Sequence, residues 1–511
     1  MLVKTYGSTV FGVDATTITI EVSVQGGTKY FIVGLPDNAI KESWHRVATA
    51  IKHNGYYMTR KRVVVNLAPA DIRKEGTAYD LPIAIGILAA TDQIIFNDFA
   101  KTIIMGEVSL DGEIQAIRGV LPMAIQAQKD GFTKMLVPKA NAREAAIVRD
   151  IEVVGVESLS QVIDYLNAVI EIEPTHINVR QEFEANQNSS VLDFEDVKGQ
   201  VKIKRALEIA AAGGHNIILI GPPGAGKTML AKRFPTILPP LGLKESLQTT
   251  KIHSVSGLLK ASDSLVFERP FRSPHHTVSD VALVGGGTSP QPGEISLAHN
   301  GVLFLDELPE FKRSVLEVMR QPLEDRQVTI SRSKFTVTYP SNFMLVTSMN
   351  PCPCGYYNHP DKDCVCPPGI VQRYLNKISG PLLDRIDLHV EVTPVPFKAL
   401  SAQSLEEKSE LVRQRVIDAR QIQSERFSDT NIHSNALMNT KQLRQVCQIS
   451  ATSNALLDRA MEKLNLSARA YDRILKVSRT IADLDKEEDI QPRHLAEAIH
   501  YRSLDRENWG S

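Results

Sequence analysis

Residues 221–228 read Gly-Pro-Pro-Gly-Ala-Gly-Lys-Thr, and this stretch decides the fold of the region around it. It follows an apolar run at 216–220 (NIILI) and leads into 229–233 (MLAKR), which suits a short helix. In a strand, glycine loop and helix of the form GxxxxGK[ST], backbone N–H groups and the positive helix end surround a polyphosphate. The stretch therefore predicts an α/β domain that binds a nucleoside triphosphate.

Each position of this loop is predicted to contact the nucleotide. The eight residues are Gly221, Pro222, Pro223, Gly224, Ala225, Gly226, Lys227 and Thr228. The glycines let the backbone approach the phosphates, and the Lys227 ammonium reaches the β- and γ-phosphates. The Thr228 hydroxyl is suited to bind Mg²⁺, so ATP and Mg²⁺ are the expected cofactors.

A second apolar strand, 302–305 (VLFL), ends in Asp306 and Glu307. We expect Asp306 to hold the Mg²⁺ and Glu307 to orient and polarise the attacking water. Many core strands end in acids, but this one lies about 80 residues beyond a phosphate loop, which favours ATP hydrolysis. Asn350 follows the apolar run 343–347 and is predicted to help position the same water; otherwise it is an ordinary loop asparagine.

Bulk composition limits the classes of partner. The chain has 511 residues, enough for about three domains. Its 58 basic and 59 acidic residues give no global attraction to nucleic acid or membrane. No apolar run approaches the ~20 residues that span a bilayer, and residues 1–7 lack the features of a signal peptide. We expect a cytoplasmic protein without membrane contact, and no small-molecule substrate besides ATP.

Composition and periodicity divide the chain into four parts: 1–168, a polar and poorly periodic linker at 169–192, 193–394, and a helical tail at 395–511. In the first part, Ile18 to Val24 alternate as in a half-buried strand, and 80–90 suits a buried helix. The third part alternates helix and strand signals, as parallel α/β folds do. Its predicted strands are 216–220, 302–305, 343–347 and 388–392.

Two arginines are candidates for contact with the transferred phosphoryl group. Arg385 lies in 382–387 (LLDRID), just before the last predicted strand. An arginine between acids is usually a surface ion pair, but ring ATPases need an arginine supplied across the subunit boundary. Arg469, more than Arg473, is predicted to reach the nucleotide from a helix of the tail.

These features resemble the AAA+ ATPases, and a longer signature resembles the YifB/ComM family of the magnesium-chelatase-like branch. It comprises 271–277 (FRSPHHT), 285–287 (GGG), 292–299 (PGEISLAH) and 303–311 (LFLDELPEF). The resemblance extends over nearly the whole chain and implies a homo-hexameric ring. In ComM members it implies an ATP-driven DNA helicase that promotes branch migration while transforming DNA is integrated.

The same resemblance implies two insertions, one within 253–298 and a hairpin with strands 327–330 and 335–339. Arg332 and Lys334 at the hairpin tip are either solvated turn residues or, in a ring pore, contacts to DNA phosphates. We expect DNA contact. For the pair His275 and His276 we favour a structural or pore role over a metal site, because no ligand lies at suitable spacing.

Four cysteines form the pattern CxC-x9-CxC: Cys352, Cys354, Cys364 and Cys366. Two close thiolate pairs can converge on one tetrahedral ion, and Zn²⁺ is the ordinary occupant of a four-cysteine site. With four protein ligands, such an ion would be structural. Free thiols or a redox pair are the alternatives, and His359 is a possible substitute ligand. Cys447 is expected to be a buried apolar residue.

The N-terminal part resembles the proteolytic domain of Lon, a ribosomal-S-five-like α/β fold, through 63–90 and 106–114. Lon uses a serine nucleophile and a lysine base, and the matching positions here hold Ala78 and Leu121. Neither residue can act as nucleophile or base, so no protease activity is expected.

The leading hypothesis is a ring-forming motor that acts on DNA. A chelatase-type ATPase shares the ATPase branch, but neither the Lon-like part nor the cysteine cluster is expected in that subunit. An ATP-driven protein remodeller is a further alternative that the sequence leaves open.

Overall fold

The computed structural model describes residues 1–96, 98–185, 192–287, 290–332, 335–359, 361–394, 406–430, 432–464, 466–502 and 504. The fold is mixed α/β, with a parallel sheet at the centre of the chain and a helical C-terminal region. None of the helices in these ranges is long and apolar enough to cross a bilayer.

The N-terminal part is built on a mixed sheet. Its elements are β1 (Leu2–Phe11), β2 (Asp14–Gln25), β3 (Tyr30–Val33), α1 (Asn38–His53), β4 (Arg62–Ala68), α2 (Asp80–Ala90), β5 (Thr102–Ile104), β6 (Glu107–Val108), β7 (Ile114–Gln115), α3 (Val120–Lys129), β8 (Lys134–Pro138), α4 (Lys139–Ala145), β9 (Glu152–Val156) and α5 (Leu159–Leu166). Seven strands follow the order β3-β4-β2-β1-β5-β8-β9, and β6 pairs with β7.

The predicted strand and helix of this part pack directly on each other. Ile18, Ile20 and Val22 of β2 are fully buried, as the alternation predicts, and every residue of α2 is buried. A methyl group on Gly86 of α2 would lie 2.6 Å from Val22, so the helix needs glycine there to approach the sheet. Asp80 is buried at the start of α2 because Arg46 binds its carboxylate at 2.7 and 2.9 Å.

The central part is built on five parallel strands: β10 (Ile217–Ile220), β11 (Phe271–Arg272), β14 (Val302–Leu305), β17 (Met344–Met349) and β18 (Leu388–Glu391). Their order is β11-β14-β17-β10-β18. Four of them are the predicted strands, with β17 extending two residues further than expected. The edge strand β11 was not predicted, because two residues give no readable apolar run.

Helices and two hairpins complete the central part. The helices are α6 (Val179–Ala185), α7 (Val201–Gly213), α8 (Lys227–Arg233), α9 (Leu243–Val255), α10 (Asp280–Val284), α11 (Glu294–Leu297), α12 (Arg313–Val318), α13 (Arg320–Asp325), α14 (Ile370–Leu375) and α15 (Gly380–Leu383). The hairpins are β12 (Gly285–Gly286) with β13 (Gln291–Pro292), and β15 (Gln327–Arg332) with β16 (Phe335–Pro340). The second is the hairpin expected from the family resemblance.

The segment predicted to be a linker contains helix α6. Its Glu182 binds Arg143 of α4 at 2.7 Å and also accepts a hydrogen bond from Ser264. Val179 and Phe183, one helical turn apart, are its apolar contacts: Val179 packs on the apolar cluster of the N-terminal part, and Phe183 lies against Phe267. Two apolar residues in a short polar helix are too few to give a readable periodicity.

The C-terminal region consists of α16 (Ser409–Arg426), α17 (Thr440–Val446), α18 (Ala451–Leu464), α19 (Ala468–Leu484) and α20 (Pro492–His500). Ile474, Val477 and Ile481 of α19 are buried on one face. They belong to the same hydrophobic core as Ile217 of β10, and α19 packs on α7, which packs on β18. The helical region and the central sheet therefore share one core.

Candidate nucleotide-binding site

The predicted phosphate loop joins the end of β10 to the start of α8. Gly226 caps α8 with φ +86°, a backbone conformation that side chains rarely adopt. A methyl group on Gly221 would lie 2.3 Å from the carbonyl oxygen of Val392, so the loop also requires glycine where it passes β18. The backbone N–H groups of α8 therefore begin at the loop, in the geometry that binds phosphate.

Lys227 is held at the centre of this loop. Its ammonium donates hydrogen bonds to the carbonyls of Gly221 (2.7 Å) and Pro222 (3.0 Å) and to Oδ1 of Asn350 (3.1 Å). Burial lowers its pKa, while Asp306 and Glu307 oppose that shift. A terminal phosphate that bound this ammonium would therefore lie beside Asn350.

Asp306 lies at the end of β14, beside the loop. Its carboxylate accepts hydrogen bonds from the Thr228 hydroxyl (2.7 Å) and from the Ser348 hydroxyl. Thr228 and Asp306 thus place two hard oxygen ligands together, which suits Mg²⁺. Ser348 was not predicted, because a single serine within an apolar strand carries no signal until β17 is known to pair with β14.

Glu307 leaves the strand in a left-handed backbone conformation, φ +56°. For a residue other than glycine this conformation costs free energy and is concentrated at functional sites. Its carboxylate is more than half exposed, and one oxygen lies 3.8 Å from Nδ1 of His276. The sequence did not predict this contact, since His276 was assigned a structural or pore role.

A cavity of about 420 Å³ opens between the ends of β14 and β17. Its lining residues are Glu307, Glu310, Asn350, Pro353, Ile370, Arg373, Tyr374 and Lys377. Glu307 and Asn350, which the sequence assigned to the attacking water, thus border one space that a water can enter.

Arg385 lies at the opposite end of the sheet from its own phosphate loop. Ile217 of β10 pairs with Leu388 of β18 in parallel, and Arg385 precedes β18 whereas the loop follows β10. Four strand residues separate these ends by about 13 Å. We call the strand ends that carry the phosphate loop the loop face, and the ends that carry Arg385 the arginine face. Arg385 is 6% exposed and pairs with Glu324.

Arg469 also lies on the arginine face. Its guanidinium binds the Asp384 carboxylate at 3.0 Å, and Arg473 binds Asp387 at 2.9 Å. Within one subunit, the structure thus places Arg469 beside Arg385 and not beside the phosphate loop. The sequence could not show which side of the sheet helix α19 covers.

The four predicted cysteines converge. Their sulfur atoms all lie within 4.8 Å of one another, and the closest pair, Cys352 and Cys354, is 3.3 Å apart. A tetrahedral zinc site with 2.3 Å bonds has sulfur atoms about 3.8 Å apart, so the donor set and spacing fit Zn²⁺. Burial raises the pKa of Cys352 to about 12. His359 is not part of the cluster; its Nδ1 accepts the N–H of Asp361. Cys447 is buried, as expected.

The cysteine cluster packs on the phosphate loop. A methyl group on Gly355, which has φ +86°, would lie 2.5 Å from Cδ of Pro223. Asn350 is two residues before Cys352, so the strand end that carries this asparagine continues directly into the cluster. A metal bound here would stiffen one wall of the nucleotide site.

The predicted DNA-binding hairpin lies beside the other hairpin. Arg332 ends β15 and is exposed, and its guanidinium lies 3.9 Å from the position of a methyl group on Gly286. The Tyr339 hydroxyl donates to the carbonyl of Pro290 at 2.7 Å and joins the two hairpins. Lys334 lies outside the described residues.

The positions that match the Lon nucleophile and base lie against one apolar cluster. Leu121 is fully buried in it, and Ala78 packs on it half-buried. The backbone N–H of Leu121 donates to Glu144, which also accepts a hydrogen bond from Ser254 of α9. Glu144 therefore links the N-terminal part to helix α9 of the central part through hydrogen bonds.

Comparisons with known proteins match each part of the chain. The family "Magnesium chelatase, subunit ChlI" matches residues 193–400, "Subunit ChlI of Mg-chelatase" matches 20–141, and "Magnesium chelatase, subunit ChlI C-terminal" matches 406–502. The chain is 43% identical over 506 residues to Competence protein ComM of Haemophilus influenzae, covering 98% of this chain and 97% of the relative.

Two further relatives cover different lengths. Uncharacterized protein YifB of Escherichia coli is 42% identical over 501 residues, 97% of this chain and 96% of that protein. Lon protease 2 of Bacillus subtilis is 30% identical over 148 residues, 28% of this chain and 26% of the protease.

Proposed function

The chain belongs to the YifB/ComM family of magnesium-chelatase-like AAA+ ATPases, and we propose that it is a ring-forming motor that couples ATP hydrolysis to movement of DNA. The observation that carries this proposal is the opposition of the two faces: the phosphate loop with Glu307 on one, and Arg385 on the other. A subunit with this arrangement has an incomplete site that a second copy can complete.

Each subunit supplies most of the hydrolytic groups. Lys227 and the loop N–H groups hold the phosphates, while Thr228 and Asp306 would hold Mg²⁺, which neutralises charge on the β- and γ-phosphates. Glu307 orients a water that adds to the γ-phosphorus, and Asn350 helps to position that water. The bond to the bridging oxygen breaks, the water proton passes to Glu307, and ADP and phosphate leave.

The arginine face completes the site of a neighbour. Repeated contact between the loop face of one copy and the arginine face of the next is a head-to-tail interface, which forms a ring when the rotation between copies closes. Arg385 would then reach the neighbour's γ-phosphate after exchanging Glu324 for it, with Arg469 beside it. This accounts for a second arginine on the face remote from its own nucleotide.

DNA is the proposed polymer because the hairpin presents cations. Arg332 is exposed at the end of β15, and each subunit would add this charge and that of Lys334 to a shared channel. Contacts of this kind go to phosphates, so binding should tolerate any sequence and weaken steeply with salt. The family relative from Haemophilus influenzae is called a competence protein, which supports a role in DNA uptake or recombination.

The ATPase rate with and without DNA tests the proposal. We expect single-stranded, duplex or branched DNA to raise the rate of the wild-type protein several-fold, and Lys227→Ala to abolish hydrolysis on every substrate. A wild-type rate that no DNA changes, together with no DNA binding, would favour an ATP-driven protein remodeller instead.

A chelatase-type ATPase is the second candidate, because the three matching families are all named for subunit ChlI of magnesium chelatase. Because residues 20–141 match a ChlI family, the N-terminal part does not distinguish a DNA motor from a chelatase-type ATPase. Only the cysteine cluster, which is not expected in a chelatase-type subunit, still argues against the chelatase. A chelatase-type subunit should be stimulated by its metal-inserting partner and not by DNA.

A further inference from the structure

Arg373 borders the cavity beside Glu307 and Asn350 and has no part in the mechanism above. Its side chain is exposed, and none of the described residues forms a hydrogen bond or ion pair with its guanidinium. Lys377, one turn further along the chain, lines the same cavity and is paired with Glu310 at 3.5 Å. Of these two cations, Arg373 is the one available to an incoming anion.

The terminal phosphate of a bound nucleotide would lie at the wall of this cavity. The Lys227 ammonium, which binds that phosphate, is 3.1 Å from Oδ1 of Asn350, and Asn350 lines the cavity. The volume of about 420 Å³ far exceeds the ~30 Å³ that one water occupies. There is room for phosphate oxygens, the attacking water and a guanidinium together.

Local structure fixes the place of Arg373. Helix α14 starts four residues after Cys366, and its first turn is closed by a hydrogen bond from Ile370 N–H to the Pro367 carbonyl at 3.1 Å. The next residue, Tyr374, is buried, and its hydroxyl is hydrogen-bonded to the backbone of Asn350. The arginine therefore stands on a helix held at one end by the cysteine cluster and tied to the Asn350 strand end.

We infer that Arg373 is a catalytic residue that binds the γ-phosphate within its own subunit during hydrolysis. Negative charge spreads over the γ-phosphate oxygens as water adds to phosphorus and the bond to the bridging oxygen breaks. A guanidinium can donate two parallel N–H groups to those oxygens. This inference rests on the proposed ATPase mechanism and adds an arginine in cis to the one supplied in trans by Arg385.

Three variants of the full-length protein test the inference. Arg373→Ala should keep ATP affinity within about twofold while kcat falls about 10²-fold or more, the usual cost of losing one transition-state donor. Arg373→Lys should fall between Arg373→Ala and wild type, because it keeps the charge but not the planar pair of donors. Gln372→Ala, on the same helix but outside the cavity, should match wild type.

Added guanidinium ion at millimolar concentration provides a readout that a structural role would not move. It should restore part of kcat in Arg373→Ala and leave Gln372→Ala unchanged. Unchanged kcat in Arg373→Ala overturns the inference, and so does a loss that comes with weaker ATP binding or a lower melting temperature and is not rescued. A wild-type protein without ATPase activity would instead contradict the proposed function, before any variant is compared.

Discussion

Two adjacent carboxylates differ in backbone conformation and therefore in role. Asp306 directly follows β14 and is held by the hydroxyls of Thr228 and Ser348, as suits the metal ligand of the proposed mechanism. Glu307 turns out of the strand at φ +56°, and among the described residues its carboxylate contacts one charged partner, His276, at 3.8 Å. A carboxylate that is free of hydrogen-bond donors can accept a hydrogen bond from water, which is what a positioning base requires.

Glu307→Gln should keep ATP binding and assembly while turnover falls about 10²- to 10⁴-fold, because the amide cannot accept a proton. Lys227 and the loop amides are untouched, so nucleotide affinity is the internal control. The matched variant Glu425→Gln, an exposed carboxylate on α16, should hydrolyse ATP at the wild-type rate. Near-normal turnover in Glu307→Gln would remove this residue from the mechanism.

At the scale of elements, the cysteine loop and the β15–β16 hairpin are two additions to the five-stranded parallel sheet. The loop continues from the Asn350 strand end and packs on Pro223, and the hairpin precedes the same strand at its other end. Both additions therefore join β17, which lies between the Asp306 strand and the phosphate-loop strand. We therefore expect substitutions in the cysteine loop or in the hairpin to alter the nucleotide site by displacing β17.

One zinc ion per chain is expected, bound by the four cysteines. Replacing Cys364 with serine should lose the metal and lower the ATPase rate, because structural zinc contributes folding free energy to the loop that carries Asn350. Cys447→Ala, a buried cysteine outside the cluster, should retain the metal. Elemental analysis of purified protein decides the matter, and an absence of zinc, or iron in its place, would contradict the assignment.

The hairpin prediction concerns DNA alone. Changing Arg332 and Lys334 together to alanine should reduce DNA-stimulated ATPase activity and the salt dependence of DNA binding, while basal hydrolysis stays the same. The control removes the same charge from α18 by changing Arg459 and Lys463 to alanine. If the hairpin variant unwinds forked DNA at the wild-type rate, the hairpin is not the DNA contact.

The parts of the site that could be predicted from the sequence are those whose residues lie close together along the chain. The phosphate loop, the acids after β14 and the paired cysteines are each local in sequence, and the structure brings each set together. Residues whose role depends on strand pairing or helix placement were missed or left open. Ser348 reaches Asp306 because β17 pairs with β14. Arg373 lines the cavity because helix α14 forms one of its walls.

At the scale of the whole molecule, the phosphate loop and Arg385, the two halves of the proposed site, lie at opposite ends of one sheet. The helical region is tied to the sheet at the arginine face. His215 before β10, Asp387 before β18 and Thr480 of α19 form one buried hydrogen-bonded chain there. Burial alone would raise the pKa of Asp387, but Arg473 and His215 lower it below its ordinary value. Buried hydrogen bonds and ion pairs thus hold the arginine face in place, as the proposed docking on a neighbour requires.

Mixed rings should reveal this division of labour. Arg385→Ala and Lys227→Ala subunits should each be inactive alone, since each lacks one half of a site. Mixing them should restore part of the activity, because an intact Arg385 then meets an intact phosphate loop. Mixing Lys227→Ala with Glu307→Gln is the control that should stay inactive, as both changes lie on the loop face. No recovery in rings confirmed to be mixed would contradict a role in trans.

The most direct test of the central claim follows the DNA itself. A fluorescently labelled four-way junction, incubated with protein and ATP, reports whether branches move and strands separate. The wild-type protein should separate the strands of the junction at a rate that depends on ATP, and Glu307→Gln should bind the junction without separating them. A wild-type protein that hydrolyses ATP but leaves junctions, forks and single strands unbound and unchanged would contradict this claim.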